Sequence, residues 1–156
     1  MDKTDESTIY FEDIEPGTIT DCGSTTVSKR SITEFAEEFD PLPIHTDEEM
    51  ATEGPYSGII ASGYHTLCLS VRLLVDKIRS QRAVIAGLGI DSVTWRAPVQ
   101  PGDTLSVRNK VVDTRRSESD PTRGIVHEII SVTNQNEETV LSYENNELVE
   151  CATEYY

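Results

Sequence analysis

The sequence predicts an α+β domain in which one long helix packs against an antiparallel sheet. Apolar residues recur at helical spacing from Gly63 to Arg79, and from Ala83 onward their period changes to two. Segments of period two separated by turn residues are typical of antiparallel strands, and we expect four or five of them. An apolar helix followed by such strands favours a curved sheet wrapped around the helix.

Length and composition limit the domain organisation. At 156 residues the chain is long enough to close one hydrophobic core. We expect the domain to span residues 10–150, with residues 1–9 as a flexible N-terminal tail and residues 151–156 as a C-terminal tail. The sequence has no run of about 18 apolar residues, and its beginning lacks the apolar segment of a signal peptide. These features predict a cytoplasmic protein without membrane contact.

The charge is strongly acidic, with 28 acidic and 13 basic residues and a formal net charge of −15. Such an excess repels the phosphates of nucleic acids and argues against a nucleic-acid partner. Two interpretations remain open. We favour a surface adapted to very high salt, where screening makes crowded carboxylates tolerable, over an ordinary acidic cytoplasmic protein.

Three cysteines, Cys22, Cys68 and Cys151, stand alone, with no Cys-x-x-Cys pair. This spacing indicates neither a disulfide framework nor a zinc site. We expect the three side chains to pack as small buried or half-buried apolar residues rather than to act as catalytic thiols.

The first part of the chain predicts a strand, a short helix and a long loop. Residues 18–27 are rich in Thr and Val, as strands are. Ser31 followed by Glu34 matches a capping box, so a short helix is predicted to begin there and to end before Pro41. Residues 41–60 are expected to be mostly loop, with a short helix at 47–52. So long a loop indicates a functional segment.

The central helix is predicted to begin after Ser62, which is a favourable N-cap residue. Leu69 and Leu73 widen its apolar stripe past half of the circumference, so we expect burial on nearly all sides. The following strands are predicted at residues 83–95, 105–111, 125–133 and 139–149, with turns at 98–103 and 134–138.

An aspartate and a histidine form the first candidate site. Asp40 and His45 are separated by a segment that Pro41 and Pro43 stiffen, so a reproducible geometry is expected. A carboxylate and an imidazole on one loop can both hydrogen-bond a single water, and the imidazole can exchange a proton near neutral pH. The alternative is that Asp40 caps the turn and His45 is a surface residue.

The second candidate is the helix start at Ser62 and Gly63. The first amides of a helix have no intrahelical partner and carry a partial positive charge, and a glycine amide is sterically open. It could therefore stabilise an oxyanion. The alternative is an ordinary serine cap. His65 could line a pocket or simply pack, His127 is expected on a strand, and the three histidines show no metal-ligand spacing.

Two motifs together resemble the MaoC-like acyl dehydratases, (R)-specific enoyl-CoA hydratases of the hot-dog fold. The first is FAEEFDPLPIHTD at 35–47, and the second is YSGIIASGYHT at 56–66. The segment VQPGDTL at 99–105 also resembles a turn of that family. The resemblance covers roughly residues 10–150.

The resemblance implies a single hot-dog domain and a homodimer whose sheets join. It implies that Asp40 and His45 activate the water that adds to a trans-2-enoyl-CoA, and that the Gly63 amide polarises the thioester carbonyl. Ser62, Tyr64 and His65 are expected to contribute to substrate binding. The reverse reaction dehydrates a (3R)-hydroxyacyl-CoA. No cofactor and no metal is expected, because the thioester already acidifies the α-carbon.

One residue departs from the family pattern, since Leu42 stands where the best-characterised hydratases carry Asn. Two rival functions are a hot-dog thioesterase and a non-catalytic acyl-CoA or acyl-carrier binding module. A thioesterase usually uses a carboxylate of the central helix, which here offers only Asp76. A polyanionic CoA requires a basic patch, for which we consider five residues, with ordinary solvated charges as the alternative: Arg72, Lys77, Arg79, Arg82 and Arg96.

Overall fold

The computed structural model describes residues 8–152, which fold into one sheet and a set of helices. A 3₁₀ turn at Phe11–Asp13 precedes the first strand. The helices are α1 (Lys29–Phe39), α2 (Pro43–Thr46), α3 (Glu48–Glu53) and α4 (Gly63–Leu74), and α4 continues as a π-helical segment at Val75–Arg79. The strands are β1 (Ile19–Thr26), β2 (Val84–Trp95), β3 (Thr104–Arg116), β4 (Arg123–Thr133) and β5 (Thr139–Glu150).

All five strands belong to one antiparallel sheet in the order β1-β3-β4-β5-β2. Side chains along β3, β4 and β5 alternate between buried and more exposed positions. This alternation is the period of two in the sequence, and it gives the sheet one apolar face. The prediction of an α+β domain with a curved antiparallel sheet around a central helix is confirmed.

The core lies between the apolar face of the sheet and α4. Leu105, Ile130 and Leu141 are buried on the sheet side, and Leu74 is buried on the helix side. Leu67, Leu69 and Leu73 of α4 pack against the same cluster while staying partly exposed. Because the sheet and the helix share this core, the start of α4 is held in a fixed position relative to the strands.

The start of α1 differs from the prediction. Its N-cap is Ser28, whose Oγ accepts the Ser31 N–H at 3.1 Å. Ser31 lies inside the first turn, and Glu34 accepts from Arg30 Nε at 2.8 Å instead of completing a capping box. The helix starts earlier because β1 ends just before Ser28, which is itself a favourable cap. The predicted end of this helix is confirmed, since Asp40 is its C-cap.

The segment 41–60 contains more structure than a loop. Pro43 begins the single turn of α2, where a proline is tolerated because the first amides of a helix have no intrahelical acceptor. Asp47 caps α3, accepting the Met50 N–H at 3.0 Å. The helix predicted at 47–52 is therefore present, and the helix at Pro43–Thr46 was missed.

The expectation that the central helix is buried on nearly all sides is wrong for the single chain. Tyr64 is 58% exposed and Val75 is 38% exposed, and Cys68 is also exposed, whereas Cys22 and Cys151 are buried. The apolar stripe is wider than the sheet can cover, so part of it faces outward. Strand β2 shows the same property, because every residue in it except Val93 is exposed.

Both ends of the described chain are attached to the domain. The Ile9 N–H donates to Gln81 O at 2.7 Å, and the Cys151 N–H donates to Thr122 O at 2.9 Å. The outer parts of the predicted tails, residues 1–7 and 153–156, lie outside the described residues. No helix within residues 8–152 is long and apolar enough to cross a membrane.

A buried cluster of charges lies beyond the C-terminal end of α4. Arg82 Nη1 lies 2.7 Å from Glu128 Oε1 and 2.8 Å from Glu147 Oε1. Arg79 Nε lies 2.8 Å from Glu147 Oε2. The two groups form an ion pair, but their orientation does not allow a hydrogen bond. Burial lowers the pKa of Arg82, but the two glutamates outweigh that effect and the pKa is raised. The cluster therefore joins the end of the helical segment to β4 and β5.

Candidate active site

Asp40 is positioned by the end of α1. Its N–H donates to Ala36 O and its carbonyl accepts the Leu42 N–H, each at 2.8 Å. The helix cannot continue because Pro41 disfavours helical geometry in the residue before it. The carboxylate is 21% exposed and points toward His45 and Ser62, with which it makes its contacts.

His45 lies in α2 and is 5% exposed. Its Nδ1 is 2.7 Å from Ile60 O. Because a carbonyl oxygen only accepts, Nδ1 carries the proton in the neutral ring, and Nε2 is left with a free lone pair. Nε2 lies 3.4 Å from Asp40 Oδ2. Two acceptors that face each other at this distance are suited to bind the two hydrogens of one water molecule.

Ser62 connects the carboxylate to the start of α4. Its side chain is fully buried, and its Oγ donates to Asp40 Oδ2 at 2.7 Å. Ser62 Oγ also accepts the Tyr64 N–H at 3.3 Å. Ser62 is therefore the N-cap of α4, as predicted. One hydroxyl thus both orients the carboxylate and caps the helix.

The Gly63 amide is a free donor. None of the hydrogen bonds formed within residues 8–152 uses the Gly63 N–H. Gly63 is the first residue of α4, so its amide carries the partial positive charge of the helix N-terminus. A side chain at this position has no space, because a Cβ would lie 2.5 Å from Cε2 of Trp95.

A cavity of about 390 Å³ brings these groups together. His45 and Gly63 both line it, together with the hydroxyl residue Thr66 and the cation Arg96. Asp40, Ser62 and His65 are not among its lining residues, so Asp40 reaches the cavity through its contact with His45. The remaining wall is apolar or aromatic and consists of Tyr56, Ile60, Ala61, Tyr64, Trp95, Ala97, Pro98, Val99 and Val140.

Tyr64 and His65 occupy different positions although they are adjacent. Tyr64 lines the cavity and meets Trp95 edge to face, with ring centroids 5.5 Å apart. His65 is buried and stacks on Phe35 at 4.8 Å, and burial lowers its pKa. The structure therefore places His65 behind the helix start, in a packing position. Leu42, which replaces the Asn of the family pattern, is 53% exposed.

Trp95 and Tyr56 both line the cavity, and neither was predicted as a site residue. Trp95 ends β2, and the segment that follows it is tied to the helix start by the bond from the Ala61 N–H to Val99 O at 2.8 Å. Its only sequence signal is its place shortly before the Pro98–Asp103 turn. A contact between the end of one strand and the start of a distant helix cannot be read from local spacing.

The basic patch considered for CoA is not formed. Arg72 pairs with Asp76 at 2.9 Å, and Arg79 and Arg82 pair with buried glutamates. Arg72 is exposed, as the alternative of ordinary solvated charges implies, whereas Arg79 and Arg82 are held by glutamates of the sheet. Of the five cations, Arg96 alone lines the cavity, with its Nε donating to Ser142 Oγ at 3.0 Å. Among residues 8–152, no group of three or more His, Cys, Asp or Glu side chains could hold a metal ion.

Comparisons with known proteins identify the family of this chain. The model of the MaoC-like domain matches residues 14–134. YdeM, an uncharacterized protein of Bacillus subtilis (strain 168), is 36% identical over 147 residues, which cover 94% of this chain and 98% of that protein. The MaoC-like dehydratase from Rhodospirillum rubrum is 33% identical, with a TM-score of 0.85 and coverage of 94% and 99% of the two chains.

A more distant structure shares the fold. The R-hydratase PhaJ1 from Pseudomonas aeruginosa has a TM-score of 0.76 at 21% identity, with coverage of 96% of this chain and 92% of its own. The predicted hot-dog fold is confirmed, with the five-stranded sheet wrapped around α4. Since the family model spans most of the domain and the relatives align along nearly their full length, this chain belongs to the MaoC-like dehydratase family.

Proposed function

We propose that the protein is a hydro-lyase that reversibly hydrates trans-2-enoyl-CoA to (3R)-hydroxyacyl-CoA. The observation that carries the proposal is the convergence on one cavity of His45, held by Ile60 O with Nε2 facing Asp40, and the unpaired Gly63 N–H. A base, an orienting carboxylate and an oxyanion donor are the groups that addition of water to an activated double bond requires.

The Asp40–His45 pair handles the protons. A water held between His45 Nε2 and Asp40 loses a proton to this pair as its oxygen bonds to C3 of the enoyl group. The electrons of the C2–C3 double bond move toward the thioester and form an enolate. The pair then returns a proton to C2, so that one water molecule is added in total and the side chains regain their starting state.

The Gly63 amide stabilises the enolate. Negative charge develops on the thioester oxygen only during the reaction, so a preformed donor aimed at that oxygen lowers the barrier. The partial positive charge of the α4 N-terminus acts in the same direction. Ser62 maintains both parts, because its hydroxyl binds Asp40 and caps the helix that begins with Gly63.

The cavity supports an acyl thioester as substrate. Its wall is largely apolar, which suits the acyl group, and Arg96 offers one cation for the anionic carrier. A CoA thioester is in turn compatible with the cytoplasmic location expected from the sequence. We also propose a homodimer, because among residues 8–152 β2 pairs only with β5 and exposes Ile85, Leu88 and Ile90 along this sheet edge.

The proposal is tested by mixing the purified protein with crotonyl-CoA and following the ultraviolet absorbance of the enoyl thioester. We expect the absorbance to fall and the product to be the (3R)-alcohol, identified by chiral analysis. A thiol reagent in a parallel assay distinguishes a thioesterase, which would release free CoA. A binding module would leave the absorbance unchanged, and that result across a series of enoyl-CoA chain lengths would contradict the proposal.

A further inference from the structure

We propose that Trp95 is a further catalytic residue, whose indole N–H forms a second donor to the thioester oxygen beside the Gly63 amide. The inference rests on the proposed hydration and goes beyond it, because it assigns a direct contact with the reacting group to a residue at the end of β2.

The indole of Trp95 contacts the backbone of Gly63. A Cβ built on Gly63 would lie closest to Trp95 Nε1, and next closest to Cε2 at 2.5 Å and Cδ1 at 2.8 Å. These three atoms form the nitrogen-bearing edge of the indole. That edge is therefore in van der Waals contact with Cα of Gly63, and the glycine is needed at position 63 for the indole to lie there.

The Gly63 amide and the Trp95 indole N–H border the same space, and each is free among the described residues. Within residues 8–152, neither the Gly63 N–H nor the Trp95 Nε1–H takes part in a hydrogen bond. Both residues line the cavity that His45 also lines. An indole nitrogen can only donate, so it suits an oxygen that gains negative charge.

The indole of Trp95 is 45% exposed, and contacts of the ring and of the adjoining backbone hold it in place. Trp95 meets the ring of Tyr64 edge to face at an interplanar angle of 75°. The following Arg96 N–H donates to Val140 O at 2.8 Å, which fixes the end of the strand. Ser92 has a φ of 54°, and the register of β2 shifts between Asp91 and Thr94. Such an irregularity turns the end of a strand and re-aims its side chains.

The composition offers a clean test, since Trp95 is the only tryptophan of the chain. Replacing tryptophan biosynthetically with 3-benzothienylalanine changes this residue alone, because the analogue keeps the shape of indole and has sulfur in place of the N–H. Trp95→Phe is the second variant, since it keeps an aromatic ring and lacks the donor. The assay is hydration of crotonyl-CoA, with kcat and KM measured separately.

We expect both changes to lower kcat by about tenfold or more with KM little changed. The lost donor would stabilise the charge that develops on the thioester oxygen in the transition state, and not the bound substrate. A smaller loss of kcat in the benzothienylalanine protein would overturn the inference and leave Trp95 as part of the wall. Absence of hydration by the unmodified protein would instead contradict the proposed function. The contact itself is checked through Gly63→Ala, which should shift the fluorescence emission of Trp95; unchanged emission would also overturn the inference.

Discussion

The two ends of the central helix carry two polar clusters, one of matched charges and one with a free backbone donor beside a cavity. At the C-terminal end, Arg79 and Arg82 meet Glu128 and Glu147, so that the formal charges are matched. At the N-terminal end, the Gly63 amide has no partner among residues 8–152, and His45 Nε2 lies 3.4 Å from a carboxylate.

The difference separates a structural role from a functional one. The charges of the C-terminal cluster neutralise each other, and removing one of them leaves its partner uncompensated. Groups that keep a free donor and a free lone pair beside a cavity are available to a substrate. Substitutions in the first cluster should therefore affect stability, and substitutions in the second should affect turnover.

The largest effect is expected at the N-terminal cluster. Asp40→Asn or His45→Ala should lower kcat for crotonyl-CoA by roughly 10²–10⁴-fold, because each removes a group that handles the reacting protons. Both variants should stay folded, although His45→Ala removes a buried side chain and should lower the melting temperature. His127→Ala is the matched control, since this histidine lies on β4 and pairs with Glu144. Turnover close to the wild-type value in either variant would remove the assignment of the pair.

The C-terminal cluster should show the opposite pattern. Glu147→Gln should lower the free energy of unfolding by about 3–5 kcal/mol, because it takes away a buried charge that faces two guanidinium groups. The kcat of the folded fraction should be retained. Glu144 lies on the opposite face of β5 and is partly exposed. Glu144→Gln should therefore change the free energy of unfolding by less than about 0.5 kcal/mol. Denaturant-induced unfolding measures the stability of both variants. Equal losses of stability for Glu147→Gln and Glu144→Gln would contradict the contrast between the two clusters.

A smaller and mixed effect is expected for Ser62, which serves both the helix and the carboxylate. Ser62→Ala should reduce stability by about 1 kcal/mol through loss of the cap, and it should also lower kcat. Ser28→Ala provides the comparison, because Ser28 caps α1 and touches neither Asp40 nor the cavity. The Ser28→Ala variant should lose about as much stability as Ser62→Ala and keep the wild-type kcat. A Ser62 variant with normal kcat would show that the hydroxyl does not orient Asp40.

The smallest effect concerns His65 and acid. Burial lowers the pKa of this histidine from its ordinary value of 6.5. Above that pH both folded and unfolded states are neutral, and as the pH falls through 6.5 the unfolded state binds a proton first. Stability should therefore decline below this pH, by at most about 1.4 kcal/mol per pH unit. His65→Phe, which retains a ring against Phe35, should show a flatter pH profile in thermal unfolding; identical profiles would contradict the prediction.

Sequence reasoning succeeded where the cause is local. The period of two predicted the strands, the proline at 41 predicted the end of α1, and Ser62 followed by an apolar stripe predicted the start of α4. It placed the start of α1 three residues late because Ser28 and Ser31 both suit a cap.

Sequence reasoning failed where the position of a residue depends on tertiary contacts. The five cations between 72 and 96 are close in sequence, but the glutamates that neutralise two of them lie on β4 and β5. The position of Trp95 against Gly63 likewise depends on how the end of β2 returns to the helix. His65 was a candidate for substrate binding, and its stacking on Phe35, outside the lining of the cavity, depends on the packing of α1 against α4.

The exposed edge of β2 links assembly to chemistry. This strand ends in Trp95, so its shape decides where the indole lies against the helix start. A second copy bound along the edge would stiffen the strand in both molecules at once. Dissociation of the proposed dimer upon dilution would then loosen the cavity wall, and specific activity would fall as the protein is diluted.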